Sequence, residues 1–170
     1  YFKFMSLTDE GHYGPKQLNM LEVIWGKGYL SPGGPDEIDQ IIGELDFSGK
    51  KVLDIGCVSG GAAFHILDKH GASEVVGFDV EPLVIEKANT TALEKGLSEK
   101  GIFKCVKPGP LNVEAGSFDV IFSKEAFIHI PNKIDLMKDI HRILKSGGHL
   151  AVGDWMRNDD NPPSQQMQDY

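Results

Sequence analysis

Cysteine is scarce in this sequence, and long apolar runs are missing. Only 2 of the 170 residues are cysteines, Cys57 and Cys105, which are too few for a disulfide framework and lack the spacing of a metal site. No apolar run approaches the ~20 residues of a membrane-spanning helix, and no signal peptide is apparent. These absences predict a protein of the reducing cytoplasm with no membrane span.

Positive charge is also in short supply. The chain has 17 Lys and Arg residues against 25 Asp and Glu residues, which gives a formal net charge of -8. Binding to a nucleic-acid backbone or to an anionic membrane requires clustered Lys and Arg. The composition therefore argues against nucleic acid as the main partner.

The length suits one domain with its own core. The chain begins with Tyr1 rather than Met and ends in the polar stretch NDDNPPSQQMQDY. From these features we expect a polar tail over residues 158–170 that marks a truncation point.

Helical and strand-like patterns alternate along the chain. Helices are predicted over residues 15–25, 35–45, 60–70, 82–95 and 132–144, with Ser146-Gly147-Gly148 ending the last of them. Strands are predicted over residues 51–55, 74–80, 102–106, 118–123 and 149–155. Continuous apolar strands that alternate with helices predict an α/β fold with a doubly wound, mostly parallel sheet.

The stretch VLDIGCVSGG, residues 52–61, joins the first of these strands to a glycine-rich turn and a helix. Ligands of doubly wound folds bind beyond the carboxyl ends of the strands, and glycines let the backbone approach them closely. A dinucleotide loop favours glycine at positions 56, 58 and 61, whereas an adenosylmethionine loop favours glycine at 56, 58 and 60. Val58 interrupts both patterns, so the glycines alone leave the cofactor open.

Two carboxylates help to separate the alternatives. Asp54, just before the turn, would repel a pyrophosphate but suits a ligand that carries an ammonium and a sulfonium group. Asp79, at the end of the next strand, suits the ribose hydroxyls of either cofactor. Asp54 therefore favours S-adenosylmethionine over NAD.

Four linked sequence motifs indicate which protein family the chain resembles. VLDIGCVSGG is followed by GFDVEPLVIEKA, SFDVIFSKEAFIHI and HRILKSGGHLAVGDW. Together they resemble the class I S-adenosylmethionine-dependent methyltransferases over residues 50–155. The resemblance implies a Rossmann-like fold, and we expect a truncation that removes the strands which follow the fifth one in this family. The cofactor-binding residues that it implies are Tyr29, Ser31, Asp54, Gly56, Cys57, Gly60, Asp79, Val80, Pro108, Gly109, Ser123 and Lys124.

Two positions depart from the family pattern. Val58 replaces the middle glycine, and because a β-branched residue disfavours positive φ, we expect a rearranged turn or a displaced cofactor. Lys107 stands where the family often has an acidic residue for the adenine amine. We therefore expect backbone groups and apolar contacts to hold the adenine.

The N-terminal part narrows the resemblance. Tyr13, Glu22, Trp25-Gly26 and the Ser31–Gly34 loop are similar to the corresponding segment of the phosphoethanolamine N-methyltransferases. That resemblance implies methylation of a small amine such as phosphoethanolamine, with S-adenosylhomocysteine as the second product.

The catalytic candidates implied by this resemblance are Tyr13, Glu125 and His129. An amine attacks only when neutral, and His has a suitable pKa for removing its proton. Glu125 is expected to orient His129, and Tyr13 to close over the site. Aromatic faces, with Trp155 among the candidates, would favour the cationic product. His129 as a packing residue and Glu125 as a solvated loop acid remain open alternatives.

The expected organisation is an N-terminal cap and lid over residues 1–48, a cofactor-binding core over residues 49–157, and the tail. A homodimer through the open edge of strand 149–155 is also expected. His65 and His70 are expected to be surface residues, and no metal site is predicted. The alternatives are a noncatalytic cofactor-binding or interaction module, an NAD-type oxidoreductase, and a cofactor-free Rossmann-like domain.

Overall fold

The N-terminal segment of the described chain is helical. A computed structural model describes residues 14–156. Helix α1 spans Pro15–Trp25, with Pro15 in the first turn, where its missing N–H costs no hydrogen bond. Helix α2 spans Gly34–Ile42 and ends at Gly43, whose φ is 56°. Both helices therefore begin and end at the glycine and proline positions that punctuate the sequence.

Five strands alternate with three further helices. The strands are β1 (Lys51–Ile55), β2 (Glu74–Asp79), β3 (Gly101–Cys105), β4 (Phe118–Lys124) and β5 (Leu144–Gly153). The helices are α3 (Gly61–Lys69), α4 (Pro82–Glu94) and α5 (Lys133–Ile143), and a short 3₁₀ turn spans Phe127–His129. All pairings are parallel, in the order β3-β2-β1-β4-β5. The prediction of a doubly wound parallel sheet is confirmed.

Alternate residues of each strand serve two separate cores. Val52, Val75 and Val120 pack in the cluster that includes residues of α2, α3 and α4. Their neighbours Leu53, Val76 and Ile121 pack with residues of α5 on the opposite face. Both faces are covered, which explains why the strands are apolar without interruption.

The last strand begins earlier than the sequence predicts. Ser146-Gly147-Gly148 was expected to end the last helix, but α5 ends at Ile143 and these residues lie within β5. Phe118 pairs with Leu144 and Val120 pairs with His149, so the register shifts between the two pairs. Gly147 has a φ of 76°, which lets the extra backbone bulge out of the ladder.

The strand order places the switch point between β1 and β4, which lie side by side at the centre of the sheet. Their carboxyl ends position Asp54 and Lys124 at the same edge. Among residues 14–156, no helix is both long and apolar enough to cross a membrane.

Candidate functional site

The turn after β1 is tightly folded beneath the end of β4. Gly56 has a φ of 80°, and its N–H and that of Cys57 both donate to the Phe78 carbonyl. A Cβ on Gly56 would lie 2.3 Å from the Cβ of Ala126, so only glycine fits here. Gly60, with a φ of 85°, then caps α3. The turn thus leads directly into the first turn of α3, where the Phe64 N–H donates to the Gly60 carbonyl.

Val58 occupies this turn in a left-handed conformation. Its φ is 42°, which is unfavourable for a β-branched residue and costs about 1–3 kcal/mol. Its N–H donates to Oδ2 of Asp79 at 3.0 Å. Val58 therefore adopts the positive φ that a β-branched residue disfavours, and a rearranged turn or a displaced cofactor stays a prediction. The hydrogen bond and the packed glycines hold Val58 in a glycine-like conformation.

Asp54 is a buried carboxylate with an unused oxygen. Its side chain is 1% exposed, and Oδ2 has no hydrogen-bond partner among the described residues. Burial, and then the charge of Asp79, raise the pKa of Asp54 to about 8. A buried acceptor without a donor is costly, and a bound cationic group would relieve that cost. This orphaned oxygen fits a cofactor that carries a positive charge.

Asp79 ends β2 beside the same turn. Its Oδ1 accepts from the Glu81 N–H and its Oδ2 accepts from the Val58 N–H, both at 3.0 Å. Burial raises the pKa of Asp79, and the backbone hydrogen bonds oppose that rise. A carboxylate offers about four acceptor positions, so Asp79 keeps acceptor capacity for a ligand hydroxyl.

The loop between α1 and α2 packs against the first residue of α3. The Gly61 N–H donates to the Gly28 carbonyl at 3.1 Å, and the Tyr29 hydroxyl donates to the Gly61 carbonyl at 3.2 Å. The Gly28 N–H in turn donates to Glu22. A Cβ on Gly28 would lie 2.8 Å from the Gly61 Cα, so the two backbones touch. Tyr29 is therefore held beside the glycine turn.

Lys124 ties the same loop to the end of β4. Its ammonium group donates to the Ser31 hydroxyl at 2.8 Å and to the Pro32 carbonyl at 2.9 Å. It also forms ion pairs with Glu37 at 3.0 Å and Glu125 at 3.4 Å, and its side chain is only 9% exposed. Lys124 and Ser31 thus join the loop to the sheet, and neither is a free ligand-facing group.

The catalytic candidates are not arranged as the sequence predicted. Tyr13 lies outside the described residues. Glu125 has a φ of 55°, and its carboxylate accepts from the Trp155 indole N–H at 3.0 Å and pairs with Lys124. His129 is exposed and makes no side-chain hydrogen bond within residues 14–156. The expected orientation of His129 by Glu125 is therefore not formed, because Trp155 and Lys124 engage that carboxylate.

The remaining predicted residues divide into buried and exposed groups. Cys57 is buried against Gly77, and burial raises the pKa of its thiol well above the usual range. Ser123 is fully buried and donates to the Ile55 carbonyl at 2.8 Å. Both side chains are thus buried beside the turn and are not exposed to a ligand. Val80 directly follows β2, whereas Pro108 and Gly109 lie in an exposed loop after β3.

Two contacts at this edge were not anticipated from the sequence. Glu37 pairs with Lys124, and Asp154 accepts from the Ile128 N–H at 2.8 Å. Asp154 follows the last strand, and this position in the sequence already indicated that it would lie at the ligand-binding edge of the sheet. Nothing in the local pattern of α2 indicated that Glu37 would reach β4.

The chain is similar in sequence to known methyltransferases. A family model described as a methyltransferase domain matches residues 46–170. Phosphoethanolamine N-methyltransferase 1 of Zea mays is 32% identical over 162 residues, which are 94% of this chain and 31% of that protein. The chloroplastic tocopherol O-methyltransferase of Arabidopsis thaliana is 30% identical over 151 residues, 89% of this chain and 40% of that protein.

A solved structure covers nearly the whole chain. Phosphoethanolamine N-methyltransferase 2 of Haemonchus contortus, in complex with phosphomonomethylethanolamine and S-adenosylhomocysteine, superposes with a TM-score of 0.84. It is 25% identical and covers 95% of this chain and 38% of its own. The chain spans about a third of the length of the first curated relatives that it matches.

Proposed function

This chain belongs to the class I S-adenosylmethionine-dependent methyltransferases, and from that premise we propose that it binds S-adenosylmethionine and methylates a small amine. The family match confirms the resemblance that the four sequence motifs indicated, and it argues against the alternative of an NAD-type oxidoreductase. When bound, S-adenosylmethionine supplies an electrophilic methyl group on a sulfonium. The product cofactor is S-adenosylhomocysteine.

The unpartnered oxygen of Asp54 is the observation that carries the cofactor proposal. It lies at the switch point, beside a second carboxylate whose oxygens retain acceptor positions. Asp54 would accept from the ammonium group of the cofactor, and Asp79 would accept from its ribose hydroxyls. The glycine turn, with Gly56 and Gly60, brings the backbone close enough to serve the same ligand. Tyr29, the Ser31 loop and the loop at Pro108-Gly109 would close the site.

A primary amine such as that of phosphoethanolamine is the acceptor that we propose. The support comes from the relatives, among which a phosphoethanolamine N-methyltransferase matches nearly the whole chain, and from the N-terminal motif around Glu22. The tocopherol O-methyltransferase is almost as similar, so the acceptor atom rests on the motif and not on overall identity.

His129 is the group that we propose to take the proton from the amine. It is the last residue of the 3₁₀ turn that follows Ala126, the residue over Gly56, and its exposed side chain can meet an incoming acceptor. Glu125 and Trp155 form a second feature of this rim. The Trp155 ring is fixed by its hydrogen bond to Glu125 and would offer an aromatic face to a methylated, cationic product.

Methyl transfer to phosphoethanolamine and to its mono- and dimethyl forms tests the proposal. With labelled S-adenosylmethionine, we expect turnover that falls by about 10²-fold in His129→Gln and recovers partly at high pH, where the free amine is already neutral. His141→Gln changes a histidine of α5 and should leave the rate unchanged. Cofactor binding without transfer to any of the three amines would refute the acceptor proposal and favour the noncatalytic module.

Several sequence predictions remain predictions. They are the three segment boundaries, the absence of a nucleic-acid partner, the cytoplasmic location and the homodimer through the edge of β5.

A further inference from the structure

Three potential metal ligands from distant parts of the sequence meet on the surface where α2 packs on α3. Asp39 lies in α2, His65 lies in α3, and His70 is the residue that ends α3. The Nε2 atoms of His65 and His70 lie 2.6 and 2.7 Å from the same oxygen, Oδ1 of Asp39. The three ligand atoms all lie within 4.8 Å of one another.

The surroundings hold this cluster in place. The side chains of His65 and His70 are only 13% and 24% exposed, and their rings meet edge to face at a centroid distance of 5.3 Å. The His70 ring also packs near the buried ring of Phe47. The imidazoles are therefore more enclosed than the surface residues that the sequence predicted, whereas the Asp39 carboxylate is half exposed and free to adjust.

The protonation pattern of the metal-free cluster follows from its hydrogen bonds. The contacts with His65 and His70 hold the pKa of Asp39 below its usual range. An ionised carboxylate can only accept, so both imidazoles must carry their hydrogen on Nε2. Both Nε2 atoms are directed at one point, and an imidazole that carries its hydrogen on Nδ1 presents the Nε2 lone pair to a metal ion there.

We propose that Asp39, His65 and His70 form a binding site for a divalent transition-metal ion, with Zn²⁺ the best-matched ion. Two imidazole nitrogens and one carboxylate oxygen are a ligand set typical of Zn²⁺, with solvent as the fourth ligand. Bond lengths near 2.1 Å place tetrahedral ligand atoms about 3.4 Å apart, so the Asp39 oxygen must retreat by roughly 0.7 Å from each nitrogen. Its exposed side chain allows that movement.

A metal ion here would fasten the N-terminal segment to the core. The α1–α2 loop already contacts the beginning of α3 through Gly28 and Tyr29, and Asp39 would add a second attachment toward the end of the same helix. Binding to the folded state alone would stabilise it by mass action. The site is separate from the glycine turn, so its test does not depend on the methyltransferase reaction.

Metal titration of the purified protein without a polyhistidine tag tests the proposal. Calorimetry with ZnCl₂ should show one equivalent bound, and Co²⁺ should give the visible absorption of a tetrahedral complex. The affinity should fall at least tenfold in His70→Gln and in Asp39→Asn, whereas His141→Gln should bind as the wild type does. An ion concentration of a hundred times Kd should raise the Tm by about 5–10 °C.

The variants also separate metal loss from misfolding. In EDTA, the circular dichroism of Asp39→Asn should match that of the wild type, because the amide can still accept a hydrogen bond at this exposed position. If that variant is misfolded, the comparison uses His65→Gln, which retains a polar side chain on α3. Wild-type protein that binds less than one equivalent, or binding that persists in the folded Asp39 and His70 variants, would overturn the proposal.

Discussion

The Asp54→Asn substitution tests the electrostatics of the cofactor site because it removes a buried ionisable group and keeps the side-chain shape. The carboxyl group is 1% exposed, and its pKa is raised to about 8 by burial first and by the charge of Asp79 second. An aspartate in the unfolded chain has a pKa of about 3.9. The folded protein therefore binds this proton more tightly than the unfolded chain does.

The sign of the pH effect follows from those two pKa values. When folding raises the pKa of a group, its ionisation does not affect the free energy of unfolding at pH values below the pKa of the unfolded chain. Above that pH, the free energy of unfolding falls steadily until the pH passes the pKa of the folded protein. At about 1.4 kcal/mol for each pH unit, the penalty at pH 7 is about 4 kcal/mol. The buried Asn amide brings N–H donors that cost about 1–2 kcal/mol if they remain unpaired. We expect the ligand-free variant to be more stable than the wild type by about 2–3 kcal/mol at pH 7.

Urea unfolding without ligand, at pH values from about 5 to 9, measures this difference. The advantage of Asp54→Asn should grow by about 3 kcal/mol between pH 5 and pH 7 and level off above the folded pKa. Asp68→Asn, which alters an exposed acid paired with Lys95, is the matched control and should show no such gain. A variant that is less stable than the wild type at pH 7, or a difference that does not depend on pH, would refute the reasoning.

Three further substitutions probe how the turn and the loop are held. Val58→Gly should relieve the left-handed backbone strain and raise the free energy of unfolding in urea by up to about 1 kcal/mol. A decrease of more than about 1 kcal/mol would mean that the contacts of the valine side chain stabilise the fold more than the strain destabilises it. Gly28→Ala should displace the α1–α2 loop from Gly61 and make that loop a site of limited proteolysis. An unchanged cleavage pattern would contradict the close packing of the Gly28 and Gly61 backbones. Lys124→Met should lower the free energy of unfolding by roughly 3 kcal/mol, because it leaves Glu37 and Glu125 without their shared cation. Thermal unfolding that matches the wild type would show that these ion pairs do not stabilise the fold.

Local sequence patterns were sufficient for the sheet and for the centre of the site. The run from Val52 to Ile55 is apolar except for Asp54, and a glycine follows it, so strand, carboxylate and turn could be predicted from adjacent residues. The same holds for Asp79 at the end of β2. These features depend on residues within one turn of each other, where periodicity and glycine chemistry are informative.

Contacts between distant segments could not be predicted. The ion pair between Lys124 and Glu37 joins the end of β4 to α2, two segments that lie far apart in the sequence. The grouping of His65 and His70 with Asp39 depends on the packing of α2 on α3, which no spacing in the sequence reveals. The positive φ of Val58 could not be predicted from its residue type either, because the bond from its N–H to Asp79 that supports it joins two distant segments.

Calorimetric titration with S-adenosylmethionine and S-adenosylhomocysteine tests most directly whether this turn holds the cofactor. We expect the wild type to bind both at one site, Asp79→Asn to lose most of the affinity, and Asp68→Asn to bind as the wild type does. Asp79→Asn removes the charge and keeps one oxygen for the Val58 N–H, whereas the Glu81 N–H loses its acceptor, so circular dichroism first checks that the variant is folded. Folded wild-type protein that binds neither ligand would contradict the account.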